Sequence, residues 1–381
     1  MRHASRLLKV PVVSAVLAVG ILLLPAVTKA QHYTQTNLVS DQMGVAAVHD
    51  PNLVNPWGLT RGPVTAANAN GSPWWVSNNG TGTSTLYTGT GAIIPINGNG
   101  IVTVPPPKNS PAGTLSTPTG IVFNGSKTDF IITGTTTPAA FIFVTEDGTI
   151  SAWGGGPAAT LEVDNSDGGK GAVYKGATSA VVNGKTFLYV ANFRSGRIEV
   201  YDNAFHRVRI SEELFDDDRL PRDFAPFNVQ NIGGTLFVTY AKQDGPKHDD
   251  VPGEGNGFVE LYTPAGRHIG HLQHGPWLNS PWGVVWTPRD FGTFSNSILV
   301  GNFESGWIAA YNGFTYEFEG FVKNPDNSIL TIDGLWSLTF GTGGTAGPST
   351  TLFFSAGPDH EAHGLFGTLV PVATEQTGAV E

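Results

Sequence analysis

A twelve-residue phrase occurs twice in this chain, and no other feature narrows its fold so far. Val190-Ala191-Asn192-Phe193-Arg194-Ser195-Gly196-Arg197-Ile198-Glu199-Val200-Tyr201 is echoed by Val300-Gly301-Asn302-Phe303-Glu304-Ser305-Gly306-Trp307-Ile308-Ala309-Ala310-Tyr311. Each copy reads as a strand, a tight Asn/Ser/Gly turn and a second alternating strand, the pattern of a β-hairpin. A shorter phrase recurs around the hairpins, in its strongest form as Asn55-Pro56-Trp57-Gly58-Leu59, Ser280-Pro281-Trp282-Gly283-Val284 and Gly334-Leu335-Trp336-Ser337-Leu338. Weaker copies are Thr117-Pro118-Thr119-Gly120-Ile121, Gly176-Ala177-Thr178-Ser179-Ala180 and Ala225-Pro226-Phe227-Asn228-Val229. Their small positions, Gly58, Gly120, Ser179, Asn228, Gly283 and Ser337, fall 49 to 62 residues apart, near the length of a four-stranded propeller blade.

Six phrases predict an all-β, six-bladed β-propeller of four-stranded antiparallel blades. The composition agrees: 49 Gly, 26 Pro and only 14% charged residues suit short strands and turns rather than a helical bundle or a disordered chain. Blade six lacks one strand, while Tyr33 to Val39 stands unused before blade one. Pairing that amino-terminal strand into the last blade would close the ring and cover an edge. In blade two, Phe130 to Thr133 and Phe141 to Val144 compete for one strand position.

Residues 1–30 differ from the rest. Arg2, Arg6 and Lys9 precede an apolar run from Val10 to Val27, and Thr28-Lys29-Ala30 offers the small residues of a cleavage site, the pattern of a secretory signal peptide. The expected organisation is a signal peptide over 1–30, a single propeller over 31–370 and a flexible tail over 371–381, with no stable membrane span after cleavage. Cleavage removes four of 21 Lys+Arg and none of 31 Asp+Glu, leaving a charge of −14. Nucleic acid and anionic lipid are therefore poor partners. With no cysteine, neither disulfides nor thiol chemistry is available.

In a meander blade, the loop entering the innermost strand and the loop joining the second and third strands share one face of the ring. That face collects Asn78, Asn192, Asn302, Lys242 and Asp244 as candidate ligand-binding residues around the channel. The loop from Ala241 to Gly257 is long for a hairpin connection, and such loops are functional or disordered. It carries His248, Asp249 and Asp250, and the blade-six loop carries Asp359, His360, Glu361 and His363. Of these, His248, Asp249, Asp359, Glu361 and His363 are candidate ligands for a divalent cation, since carboxylates suit calcium or magnesium and imidazoles suit zinc. Solvated loop residues and turn caps are the alternative reading. The repeated Asn-Phe turn fits asparagine's tolerance of left-handed backbone, and Trp57, Trp282 and Trp336 fit blade packing better than a sugar-stacking platform.

Several phrases, among them Asp50-Pro51-Asn52-Leu53-Val54-Asn55-Pro56-Trp57-Gly58-Leu59, Ala225 to Gly234, Val238 to Asp244 and Glu361-Ala362-His363-Gly364-Leu365-Phe366-Gly367, resemble an uncharacterised family of exported bacterial proteins. Some members of that family end in a PEP-CTERM sorting segment. The resemblance implies an NHL-like propeller of unknown activity and assigns no catalytic residue. The segment Val370 to Glu375 has no apolar anchor, so free secretion or a periplasmic location is expected rather than surface sorting. No Gly-x-Ser-x-Gly elbow, phosphate loop or His-Glu-x-x-His pattern is present. The sequence thus predicts an exported, non-catalytic binding or scaffold propeller for a glycan, peptide or protein. A lactonase-like metal-dependent hydrolase or lyase, with a cation at the channel mouth, is the alternative.

Overall fold

A computed structural model describes residues 32–373 apart from Glu212, and in it the repeat resolves into six antiparallel sheets arranged as blades. The candidate signal peptide and the tail beyond residue 373 lie outside the described residues. Blade one uses Pro56–Thr60, Trp74–Asn78, Thr83–Tyr87 and Ile101–Thr103, and blade two uses Pro118–Phe123, Phe141–Thr145, Thr149–Trp153 and Thr160–Asp164. Blade three follows with Tyr174–Val182, Lys185–Asn192, Arg197–Tyr201 and Arg207–Val208, and blade four with Phe224–Ile232, Thr235–Lys242, Gly257–Tyr262 and His268–His271. Blade five is Pro281–Trp286, Ser297–Asn302, Ile308–Asn312 and Phe318–Phe321. Blade six takes Leu335–Phe340, Leu352–Ala356 and Leu365–Pro371 from the carboxyl-terminal end and Tyr33–Ser40 from the amino-terminal end. That last strand pairs antiparallel with Leu365–Pro371, which closes the ring, and the two-residue strand Val48–His49 pairs parallel on its outer side.

The recurring short phrase marks a β-bulge. In every blade the innermost strand carries one residue more than its partner at that point, between Pro56 and Leu59, Pro118 and Ile121, Tyr174 and Gly176, Pro226 and Asn228, Pro281 and Val284, and Leu335 and Leu338. A bulge re-aims a side chain, and here it delivers one residue per blade to the axis. Those residues are Trp57, Thr119, Lys175, Phe227, Trp282 and Trp336. The third copy is thus Tyr174-Lys175-Gly176-Ala177, so its small position is Gly176 and not Ser179.

Contacts between residues of blades one, three, four, five and six show that the axis is filled. Trp57 stacks on Trp336 with centroids 3.4 Å apart and meets Trp282 edge-on at 6.3 Å and Phe227 at 6.4 Å. Phe193 lies 5.4 Å from Phe227, and Phe303 stacks on Trp336 at 3.9 Å. The tryptophans therefore pack against one another across the channel. The next residues along five of the inner strands, Gly58, Gly120, Asn228, Gly283 and Ser337, together with Ala177 of blade three, line a cavity of only about 20 Å³, enough for a single water. A Cβ on Gly58 would stand 2.4 Å from Thr119 O, so the strands can come this close only without a side chain there.

Candidate ligand site at the channel mouth

Lys175 occupies the position that tryptophan or phenylalanine fills in four other blades, and its side chain is only 2% exposed. Its Nζ lies 5.1 Å from the Trp57 ring centroid, 5.7 Å from Phe193 and 5.9 Å from Phe227. An ammonium group taken out of water must be paired. Lys175 donates to Glu146 Oε1 and sits 3.5 Å from Asp249 Oδ1. Burial works against its charge, but Glu146, with Asp249 and Asp250 behind it, outweighs burial and holds the ammonium above its ordinary pKa.

Side chains from the loops above form a connected rim. Glu146 Oε2 accepts from Asn79 Nδ2 at 2.7 Å, and Asn55 Nδ2 reaches Asn79 Oδ1 at 3.4 Å and Glu361 Oε1 at 2.9 Å. Asn55 Oδ1 in turn accepts the Trp336 indole N–H at 3.1 Å, tying the rim to the aromatic floor. The Trp282 indole N–H donates to Lys175 O at 3.0 Å, whereas the buried Trp57 Nε1 has no hydrogen-bond partner. On the blade-four side, His248 Nδ1 lies 2.8 Å from Asp249 Oδ1.

Two unusual loops hold these groups. The long blade-four connection is a folded hairpin in which Gln243 bridges to Asp250, Asp244 N donates to Asp249 O at 2.9 Å and Val251 N to Lys242 O at 2.9 Å. In blade six, Asp359, His360 and Glu361 take positive φ of 57°, 53° and 66° in succession. Non-glycine residues in this region are strained by about 1–3 kcal/mol each and concentrate at functional sites.

The mouth carries more negative charge than Lys175 can balance. Burial, with Glu146 adding, pushes the Glu361 carboxyl up to about 7, and burial with Asp250 does the same to Glu304, also to about 7. Asp147 and Asp250 are raised by burial as well. Asp249 behaves oppositely: its bond from His248 holds it down at about 2 and lifts the imidazole.

Of the cation-ligand candidates, the structure brings His248 and Asp249 together with Glu146, with one donor atom from each lying within 4.8 Å of the others. Glu361 joins the same rim through Asn55 and Asn79. Asp359 and His363 form a separate contact: His363 Nδ1 lies 2.9 Å from Asp41 Oδ2, and the exposed Asp359 carboxylate is 4.0 Å from His363 Nε2. The asparagines are committed to their turns. Asn78 is fully buried and donates to Thr83 and Thr85, Asn192 donates to Glu199 Oε1 at 2.9 Å, and Asn302 Oδ1 accepts from Asn279 N at 2.8 Å. Lys242 pairs with Asp223 at 3.6 Å, and Asp244 Oδ1 accepts His248 N at 2.8 Å. Lys175, Glu146, Glu304 and the Asn55–Asn79 pair are additions to the sequence-derived set. Asn79, Glu146 and Glu304 share one topological position, the turn between the second and third strands, which is the signal that identifies them.

No protein-family model matches the chain. Among solved structures, hydrazine synthase of Kuenenia stuttgartiensis aligns with a TM-score of 0.45 at 15% identity, covering 83% of this chain and 77% of that one. A gluconolactonase from Xanthomonas campestris aligns with a TM-score of 0.36 at 11% identity, covering 67% and 86%. At these levels no activity transfers. The sequence relatives are closer. Uncharacterised protein R648 of Acanthamoeba polyphaga mimivirus is 29% identical over 348 residues, 87% of this chain and 78% of that protein. Uncharacterised protein L690 of the same virus is 30% identical over 353 residues, 87% of this chain and 84% of that protein. These relatives are viral, and neither the bacterial origin nor the sorting segment suggested by the sequence phrases comes with them. The chain belongs to the family of the uncharacterised mimivirus protein L690.

Proposed function

We propose that this protein is an exported, non-catalytic binding propeller whose channel mouth receives ligands bearing amino or guanidino groups, such as a basic peptide. The observation that carries this reading is the excess of carboxylates around one buried ammonium, with Glu304 and Glu361 both pushed up to about 7. An incoming cation would relieve that excess, and the aromatic floor blocks deeper passage. Among the described residues, the mouth carboxylates Asp250, Glu304 and Glu361 belong to no donor group compact enough for one metal ion. A ligand with spaced positive charges suits them better. Export rests on residues 1–30 and on the resemblance to an exported NHL-like bacterial family.

The test is calorimetric titration with a lysine-rich hexapeptide and a glutamate-rich control. Binding of the basic peptide alone, weakened at least about tenfold (1.4 kcal/mol) by Asp250→Asn with Glu361→Gln, is the expected result. Equal binding by parent and double variant overturns the reading. Amino-terminal sequencing of the secreted protein checks export. A metal-dependent hydrolase is favoured by one observation, the Glu146–His248–Asp249 trio, but Lys175 already supplies that trio's positive charge. Metal-dependent lactone hydrolysis lost in His248→Ala would establish it.

A further inference from the structure

A second cluster lies on the outer edge of blade four, away from the channel mouth. His268 and His271 are three residues apart on the outermost strand, a spacing that in a regular strand would point them to opposite faces. The pairing shows otherwise. His268 opposes Tyr262 and His271 opposes Glu260, four residues on one strand against three on the other, so a bulge lies between them. Tyr262 and Glu260 share a face, and the bulge brings both imidazoles onto it. One donor atom from each of Glu260, His268 and His271 lies within 4.8 Å of the others, with Glu260 Oε2 2.7 Å from His268 Nε2.

Blade five provides an internal comparison. Its outer strand has the same bulge, Phe318 opposing Tyr311 and Phe321 opposing Ala309, and the shared face is filled by phenylalanines against Trp277. The bulge is shared by blades four and five; of the two, only blade four carries ligand-bearing residues on it. The preceding interblade connection adds Asp217, whose Oδ2 lies 3.4 Å from His268 Nε2.

We propose that Glu260, His268 and His271, with Asp217 as fourth ligand, form a binding site for a transition-metal cation of the zinc class. Two imidazoles and one carboxylate already lie within reach of one another, and a second carboxylate beside His268 would complete a tetrahedral zinc donor set. Glu260 is 4% exposed and rigidly placed on the third strand, while His271 is exposed and gives the ion its approach. The present counter-charge is Arg219, bound to Asp217 and 4.0 Å from Glu260. Its side chain is exposed, and an entering ion would displace it from both Asp217 oxygens and from His268 Nε2, 3.4 Å from Arg219 Nη2.

Zinc titration of the chelator-treated protein, followed by calorimetry and by visible absorption after cobalt substitution, tests the site independently of the mouth. One equivalent is expected, with the intense visible bands of four-coordinate cobalt. His271→Ala should weaken binding by more than the roughly 10–100-fold lost with an outer partner of a metal ligand, and Arg219→Ala should tighten it. Asp249→Asn at the mouth should leave it unchanged. Circular dichroism identical to the parent's checks that His268→Ala/His271→Ala is folded, as expected for an exposed and a half-buried ring on an outermost strand. A parent that takes up no zinc at micromolar concentration, or a double variant that binds as the parent does, overturns the assignment.

Discussion

A buried cation flanked by more carboxylates than it can balance sets the chemistry of the mouth, and it makes one titration measurable. Glu361 titrates near 7 in the folded protein, against about 4.3 in an unfolded chain. A folded-state pKa raised above the unfolded one contributes stability that is complete below about pH 4.3 and is lost as pH rises through about 7. Glu361→Gln keeps an acceptor for Asn55 and removes the titration. Its melting temperature should fall less than the parent's between about pH 5 and pH 8 and exceed the parent's at the upper end; equal slopes would mean that Glu361 titrates alike in both states. Glu361 is legible in the sequence as a loop carboxylate, but Lys175 is hidden. It stands where other blades carry an aromatic, so a search for aromatic phrases passes over it and registers blade three residues too late, on Ser179. Aligning Gly176 with Gly58 and Gly120 evens the repeat to 52–62 residues and exposes the lysine.

At the scale of elements, the bulged inner strands depend on close approach. A Cβ on Gly176 would stand 2.0 Å from Asn228 Oδ1, and Asn228 Nδ2 holds Trp282 O at 2.9 Å. Gly176→Ala must therefore displace Asn228 and, through it, the inner strand of blade five. A loss of about 1–3 kcal/mol is expected, as for other overpacking changes, read as a lower urea midpoint at constant slope. A midpoint equal to the parent's would show that the strands do not meet this closely. The blade-two ambiguity has a tertiary origin. Phe130 to Thr133 and Phe141 to Val144 are both short apolar runs, which periodicity cannot separate. The ladder takes Phe141–Thr145, while Phe130, at φ 56°, packs its ring 5.1 Å from Phe205 of the blade-three edge and donates its N–H to Asn203 O at 2.7 Å. Only the neighbouring blade decides between them.

For the molecule as a whole, closure joins the two ends of the described chain. The idle strand before blade one is legible because a six-phrase repeat leaves the last sheet one strand short, whereas Val48–His49 is too brief to show any period. Tyr33 is fully buried, its hydroxyl donates to Phe291 O at 2.9 Å, and its ring lies 4.9 Å from Phe291 and 6.1 Å from Phe294. The closing strand thus clamps blade six to the blade-five connection as well as completing a sheet. Asp41 extends the clamp by accepting Gly364 N at 2.8 Å and lying 2.9 Å from His363 Nδ1. Deleting residues Tyr33–Ser40 should expose the edge of Leu365–Pro371, broaden or abolish the cooperative melt and promote association through that edge. Tyr33→Ala keeps the backbone ladder and should cost about 3–5 kcal/mol, the range for removing a buried aromatic. The two variants separate strand pairing from side-chain packing, and a deletion that melts cooperatively at the parent's temperature would show that the ring holds without its closing strand.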